Sequence, residues 1–202
     1  MIFSRSIPKR NYRDYRLYRP LLRQDFQHRC AYCLIHEFFV GGEAGFEIDH
    51  HRPLHGPYAR PDLEAVYTNL YWSCSECNAN KGDTWPSPEE YEMGVRFLDP
   101  CQPDDDHDLH WKFHPDGTLQ ALTLIGAYTE EKLLLWRPFL QERRAQQFRD
   151  QEEAEELEAR LKRKQVNPGR RRELEQRLAE IKRRLEPPIF DRARWGDRIP
   201  HA

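Results

Sequence analysis

Four cysteines in two identical pairs constrain this chain more than any other feature. Cys30-x2-Cys33 is followed by forty intervening residues and then by Cys74-x2-Cys77. Each C-x2-C bends the backbone so that two thiolates face one tetrahedral ion, and two such pairs read as a structural zinc site. A thioredoxin-like redox pair would need one C-x2-C at a helix start in a βαβ setting, not two. The interval is too wide for a zinc ribbon, so a functional element is expected inside it. The fifth cysteine, Cys101, reads as a small apolar residue. A second metal site from Cys101, His107, His110 and His114 matches no ligand spacing.

The 202 residues suffice for one compact domain plus an appendage. With 33% charged and 38% apolar residues, a modest core and much exposed helix are expected. Apolar runs are short, as at Leu133–Trp136, so no membrane span is expected. The start Met-Ile-Phe-Ser-Arg lacks the layout of a signal peptide, which points to a cytoplasmic protein. The net charge of −2 announces no nucleic-acid partner, but the distribution is polar. Residues 1–29 carry eight basic side chains against two acids, and residues 99–116 carry six aspartates against Lys112. Arg10, Arg13, Arg16 and Arg19 recur every third residue with Tyr12, Tyr15 and Tyr18 between them. Such a lead-in can contact phosphates and stack on bases, or can be a solvated face over core tyrosines.

Two parts are expected, residues 1–128 around a finger at 28–83 and a helical extension at 129–202. Residues 84–128 are loop-rich, with a hairpin between Phe113 and Thr123 turning at Pro115-Asp116-Gly117. Thr129-Glu130-Glu131 reads as a capped helix start, and Pro138 as a kink or an early turn. Val166-Asn167-Pro168-Gly169 breaks the helical pattern, and Pro187-Pro188 ends it. Ala154, Leu157 and Leu161 on one arm, and Leu174, Leu178, Ile181 and Leu185 on the other, form two narrow stripes. Joined by a tight turn, they predict an antiparallel α-helical hairpin over about 141–186.

Inside the cysteine interval lies Phe46-Glu47-Ile48-Asp49-His50-His51-Arg52-Pro53. The segment Thr68-Asn69-Leu70-Tyr71-Trp72-Ser73 then leads into Cys74-Ser75-Glu76-Cys77-Asn78-Ala79-Asn80-Lys81-Gly82-Asp83. This order resembles the HNH endonucleases, also called His-Me or ββα-metal fingers. Their pattern is an acidic-x-Asp-His strand end, a central Asn-Leu, and Cys-x-x-Cys-Asn-x-x-Lys-Gly. The resemblance covers residues 28–83 and implies an α+β fold: a zinc-stapled ββα-metal finger in a small helical domain, followed by the helical hairpin. It implies His50 as general base, Asp49 and Asn78 as ligands of a catalytic Mg2+ or Mn2+, and Asn69 as the residue that fixes the inter-strand loop and orients His50. The chemistry suits those residue types. An imidazole titrating near neutrality takes a proton from water, and carboxylate and amide oxygens hold a hard cation. Strand alternation alone does not choose between His50 and its neighbour His51; only the family pattern selects His50. His55 reads as a loop residue, Asn80 as the rival of Asn78, and Glu47 as support for the metal shell or the loop. Arg52, Lys81, Arg10, Arg13 and Arg16 are the candidate nucleic-acid contacts.

More loosely, the order Arg96-Phe97-Leu98-Asp99-Pro100-Cys101, the aspartate run and Thr129-Glu130-Glu131-Lys132-Leu133 resembles stand-alone HNH subunits of bacterial antiphage systems of the Septu and retron type. That resemblance implies an ABC-type ATPase or other operon-encoded partner. Three readings stay open: a DNA nuclease, an RNA-cleaving enzyme of the same class, and a non-catalytic zinc module that binds nucleic acid. No sequence-reading helix is evident. The cysteine spacing predicts about one equivalent of zinc per chain, by metal analysis of protein purified without added zinc. Soluble, folded, zinc-free protein would contradict it.

Overall fold

The computed structural model describes residues 3–163 and 167–185. Pro20 sits in the first turn of α1 (Arg19–Asp25), where its missing N–H costs nothing. A knuckle follows, in which Arg29 and His36 bridge across the first cysteine pair. Cys30 N–H donates to Ile35 O and Leu34 N–H donates to Cys30 O. Leu34 adopts φ +62°, a strain of about 1–2 kcal/mol for an L residue. Its side chain is buried, and that burial offsets the strain.

β1 (Phe46–His50) and β2 (Leu70–Cys74) pair antiparallel from Phe46↔Cys74 to His50↔Leu70. All five residues of β2 are buried, so both faces of that strand are covered. Cys74 is also the N-cap of α2 (Ser75–Lys81), which ends at Gly82 with φ +46°. Glycine adopts that left-handed exit without a Cβ penalty. Strand, loop, strand and helix form the ββα layout that the motif implied.

The loop-rich stretch holds α3 (Pro88–Glu92), closed by a Ser87/Glu90 capping box, and α4 (His107–His110), capped by Asp106. β3 (Trp111–Phe113) and β4 (Leu119–Ala121) form the expected hairpin, beginning two residues earlier than the sequence indicated.

One expectation is corrected. The helix read as starting at Thr129 starts at Leu124: α5 spans Leu124–Leu133 and is capped by Thr123, whose hydroxyl accepts from Gly126 N–H at 3.1 Å. Thr129 is instead fully buried within α5, and its hydroxyl accepts Leu98 N–H at 2.9 Å. Two threonines have equal capping chemistry, and tertiary packing chose between them. Gly126 is part of that choice, because a Cβ there would lie 2.3 Å from His110 O.

α6 (Pro138–Leu161) and α7 (Pro168–Leu185) each begin with proline, so Pro138 starts a helix and does not kink one. Val166 and Pro187-Pro188 lie outside the described residues. The chain divides into two compact units, residues 1–113 with 119–140, and residues 114–118 with 141–202. In the first, Leu22, Phe26, Leu70, Trp72, Trp111 and Leu133 are among the buried core. In the second, all seven stripe residues of the two arms share one apolar cluster. Ion pairs Arg184–Asp150, Arg177–Glu153 and Lys182–Glu158 link its two helices. Among the described residues no helix is long and apolar enough to cross a membrane.

Candidate metal centre and active site

The knuckle and the β2–α2 junction bring Cys30, Cys33, Cys74 and Cys77 together, with all four sulfurs within 4.8 Å of one another. Cys33 Sγ and Cys74 Sγ are 3.8 Å apart, the separation that roughly 2.3 Å metal–sulfur bonds at tetrahedral angles produce. The four thiols therefore fit a single zinc ion. Burial opposes ionisation of the Cys30 thiol and hydrogen bonds from the other three lower its pKa, while burial and the same contacts push Cys33 and Cys77 up, so the thiols by themselves carry their negative charge on one sulfur. Arg137, just before α6, donates to Cys77 Sγ at 3.5 Å and pairs with Glu76. Its cation offsets negative charge on the sulfurs, and no motif signalled it. Among the described residues these four cysteines are the only cluster of this kind. His107 instead faces Ala31 O, and His110 faces Thr123 and Asp105.

A cavity of about 390 Å3 lies at the end of β1, and Asp49, His50 and Asn78 all line it. His50 Nε2 lies 2.9 Å from the carbonyl oxygen of Glu64. A carbonyl only accepts, so Nε2 carries the ring proton and Nδ1 is left as the proton acceptor. The Tyr15 ring meets the imidazole edge-on, centroids 4.7 Å apart. His51 is placed differently. Its ring stacks on Tyr71, meets Trp85 edge-on, and has Nδ1 3.3 Å from Tyr32 OH. Burial pushes its pKa down to about 4, with Asp99 opposing and Lys81 adding to the shift.

Asp49 is 3% exposed, and both of its oxygens are engaged. Tyr32 OH donates to Oδ2 at 2.5 Å, and Lys81 Nζ donates to Oδ1 at 3.0 Å and to His50 O at 2.7 Å. Each carboxylate oxygen keeps a second lone pair for a cation. Burial, the Asp49 charge and this hydrogen bond together hold the Tyr32 phenol well above its ordinary pKa. Lys81, expected at a phosphate, has a fully buried side chain and acts within the protein.

Asn78 donates from Nδ2 to the Glu47 carboxylate, leaving its amide oxygen free. Asn80 turns toward α5 and donates to Leu133 O. Asn69 accepts Arg52 N–H at 2.8 Å and returns a bond to Arg52 O at 3.1 Å, while its own carbonyl accepts His51 N–H. It thus grips the loop backbone beyond His50 and does not touch the His50 ring. Arg52 donates to Tyr58 O and lies over Trp85, while Arg10 lies over Tyr12; neither lines the cavity. Arg13 is exposed and also stands outside the lining. Arg16 does line it, as does His55. Sequence reasoning missed Tyr32 and the Glu64 carbonyl, and named Tyr15 only as a base-stacking or core residue of the lead-in, not as a neighbour of His50. Tyr32 was legible only as an aromatic inside a cysteine pair, and the Glu64 carbonyl had no local signal.

Residues 30–84 match the family model described as HNH endonuclease. Comparison with curated proteins and with solved structures gives no match. The matched segment holds all four thiols together with Asp49, His50, Asn69, Asn78 and Lys81, and stops short of Tyr15, Arg16 and Arg137.

The Lys81–Asp49 pair generates a stability prediction. Removing one partner of a buried pair leaves the other charge uncompensated, at a cost of about 3–5 kcal/mol. Lys81→Met should lower unfolding stability in urea by that order. A loss below about 1 kcal/mol would mean that the bridge is not buried in solution.

Proposed function

We propose that this protein is a divalent-metal-dependent endonuclease that hydrolyses DNA phosphodiester bonds. One observation carries the reading: Asp49, His50 and Asn78 line one cavity, and the His50 proton is committed to the Glu64 carbonyl. Asp49 and the free amide oxygen of Asn78 are all-oxygen donors, the set that suits Mg2+ or Mn2+, and they would hold the catalytic ion. Such an ion supplies positive charge against the phosphate and the departing oxygen. His50 takes the proton of the attacking water at Nδ1, while Glu64 O stabilises the imidazolium through Nε2–H. Asp49 keeps its orientation through Tyr32 and Lys81, Asn78 through Glu47, and the loop after His50 through Asn69. The zinc held by the four cysteines is structural and takes no part in the chemistry.

The test is incubation of the pure chain with plasmid, single-stranded DNA and tRNA, in Mg2+ or Mn2+ and in EDTA. Metal-dependent cutting of DNA is expected. Cutting of tRNA alone would replace DNA by RNA as substrate, and binding without cutting would leave a zinc module. His50→Ala should reduce cleavage by at least about 10²-fold with binding retained. Asn78→Ala should raise the metal concentration required and slow cleavage strongly. His51→Ala should be milder. Loss of activity in His51→Ala but not in His50→Ala would put the base one residue later.

We further propose that the two-helix arm of about residues 141–186 associates with another protein, in keeping with the looser resemblance to antiphage subunits that work with an ATPase. Its apolar stripes are spent on each other, and several of its cations are paired. Arg177 binds Glu153 and Glu180, Arg184 binds Asp150 and Glu180, and Arg170 binds Glu173. Interleaved acids and bases leave a mixed-charge surface suited to a protein, and dilute the arginine clusters as a phosphate-binding face. Deleting residues 150–186 should abolish association with operon neighbours, or self-association, by mass in solution, while nicking by the isolated protein persists. Unchanged assembly, or a folded but inactive enzyme, would refute this role.

A further inference from the structure

Of the twelve residues that line the cavity, two lie outside the finger, and both come from one short turn of the basic lead-in. That turn, Tyr15–Tyr18, is held at both ends. The Asp14 side chain accepts Arg16 N–H at 3.0 Å. Tyr18 is 1% exposed, lies against Tyr67 at 5.0 Å, and accepts Tyr12 N–H through its hydroxyl. The next residue, Arg19, fastens the turn to the finger, donating to the Glu43 side chain and carbonyl and to Phe46 O. A turn fixed in this way presents two side chains, Tyr15 and Arg16, to the cavity.

Those two side chains have distinct chemistry. Arg16 is the single lysine or arginine in the cavity wall, which otherwise carries Asp49, Glu64 and Asp83. Arg19 and Arg23 are consumed by Glu43 and Glu37, and Arg5 by the carbonyls of Tyr67 and Leu70. Arg16 is exposed, its guanidinium lies near its own neighbour's ring, and among the described residues it makes no ion pair. Tyr15 meets His50 edge-on, and among the described residues that ring is otherwise held through Nε2 alone.

We propose that this turn completes the site: Arg16 binds a phosphate of the nucleic-acid backbone, and Tyr15 is a positioning residue that fixes the plane of the His50 imidazole. The proposal rests on the nuclease reading for its substrate. It assigns a substrate contact to the one lysine or arginine of the cavity wall, which lies outside the matched HNH segment. Guanidinium geometry suits that role, because two parallel N–H groups meet two phosphate oxygens. The Tyr15 contact needs the ring and not the hydroxyl, so phenylalanine should replace it.

The experiment uses the full chain with its zinc, and a fluorescent DNA duplex and single strand in chelator-free buffer without added Mg2+ or Mn2+, so that binding is read without cleavage and the zinc stays in place. Arg16→Ala should bind about tenfold more weakly, with the salt dependence of binding reduced by about one ion, and Arg16→Lys should recover part of the loss. Arg13→Ala, outside the cavity, should lose less. Tyr15→Leu should leave binding unchanged while shifting the His50 ring-proton resonances, identified by their absence in His50→Ala. Tyr15→Phe should keep both. With metal added, Arg16→Ala should raise KM with kcat little changed, whereas Tyr15→Leu should lower kcat at constant KM. Equal losses in Arg13→Ala and Arg16→Ala, or unmoved His50 resonances in Tyr15→Leu, would overturn the proposal. Wild-type protein that binds but cuts no nucleic acid would overturn the nuclease reading alone, because the binding and resonance measurements stand without it.

Discussion

Four sulfur atoms gathered within 4.8 Å tie together two stretches of chain that are forty residues apart. Such a closure is costly in chain entropy for a finger with two short strands and one helix of two turns. An ion bound there contributes its binding free energy directly to folding. The position of the thiols matters as much as their number. Cys74 ends β2 and caps α2, so holding it fixes the strand and the helix to one point. Asp49 lies on the partner strand and Asn78 on that helix, so their relation follows from the staple.

The first cysteine pair does a second job through one of the two residues between its members. Tyr32 reaches from the knuckle to Asp49, and Lys81 reaches the same carboxylate from the last turn of α2. The buried carboxylate is thereby paired and doubly hydrogen-bonded, the condition under which burial of a charge is tolerated. A candidate metal ligand with both oxygens already oriented loses little freedom on taking up a cation. The same lysine holds His50 O, so one buried cation fastens the end of β1.

Charge counts along the chain read differently once the partners are visible. Much of the basic lead-in is structural, with Arg5, Arg19 and Arg23 spent on carbonyls and carboxylates of the finger. The aspartate run is structural as well. Asp106 caps α4, and Asp105 takes Arg96, His110 and Asp99 N–H. Burial alone would raise the Asp105 carboxyl, but those bonds hold it well below the usual carboxylate range. Part of each run is thus spent inside the fold, and the basic lead-in contributes a single arginine, Arg16, to the cavity wall.

The sequence by itself determined the elements whose information is local or carried by spacing. The cysteine pairs announced their own convergence, because the C-x2-C geometry is set within a few residues. The two helical stripes of the C-terminal arm were legible because three-four periodicity is a property of a short stretch, whereas the ββα order was legible only through the resemblance to the HNH pattern. Tertiary structure decided what depended on equal local alternatives or on distant partners. His50 and His51 are adjacent imidazoles, and only the fold turns one to the cavity and buries the other against Tyr71 and Trp85. Thr123 and Thr129 cap equally well in isolation, and the approach of His110 O to Gly126 and the bond from Leu98 N–H settled which one does. Lys81, a candidate phosphate contact by its motif, finds its carboxylate thirty-two residues away. Tyr15 and the Glu64 carbonyl meet at His50 from opposite directions along the chain, and no local pattern encodes a contact between segments that become neighbours only when the core forms.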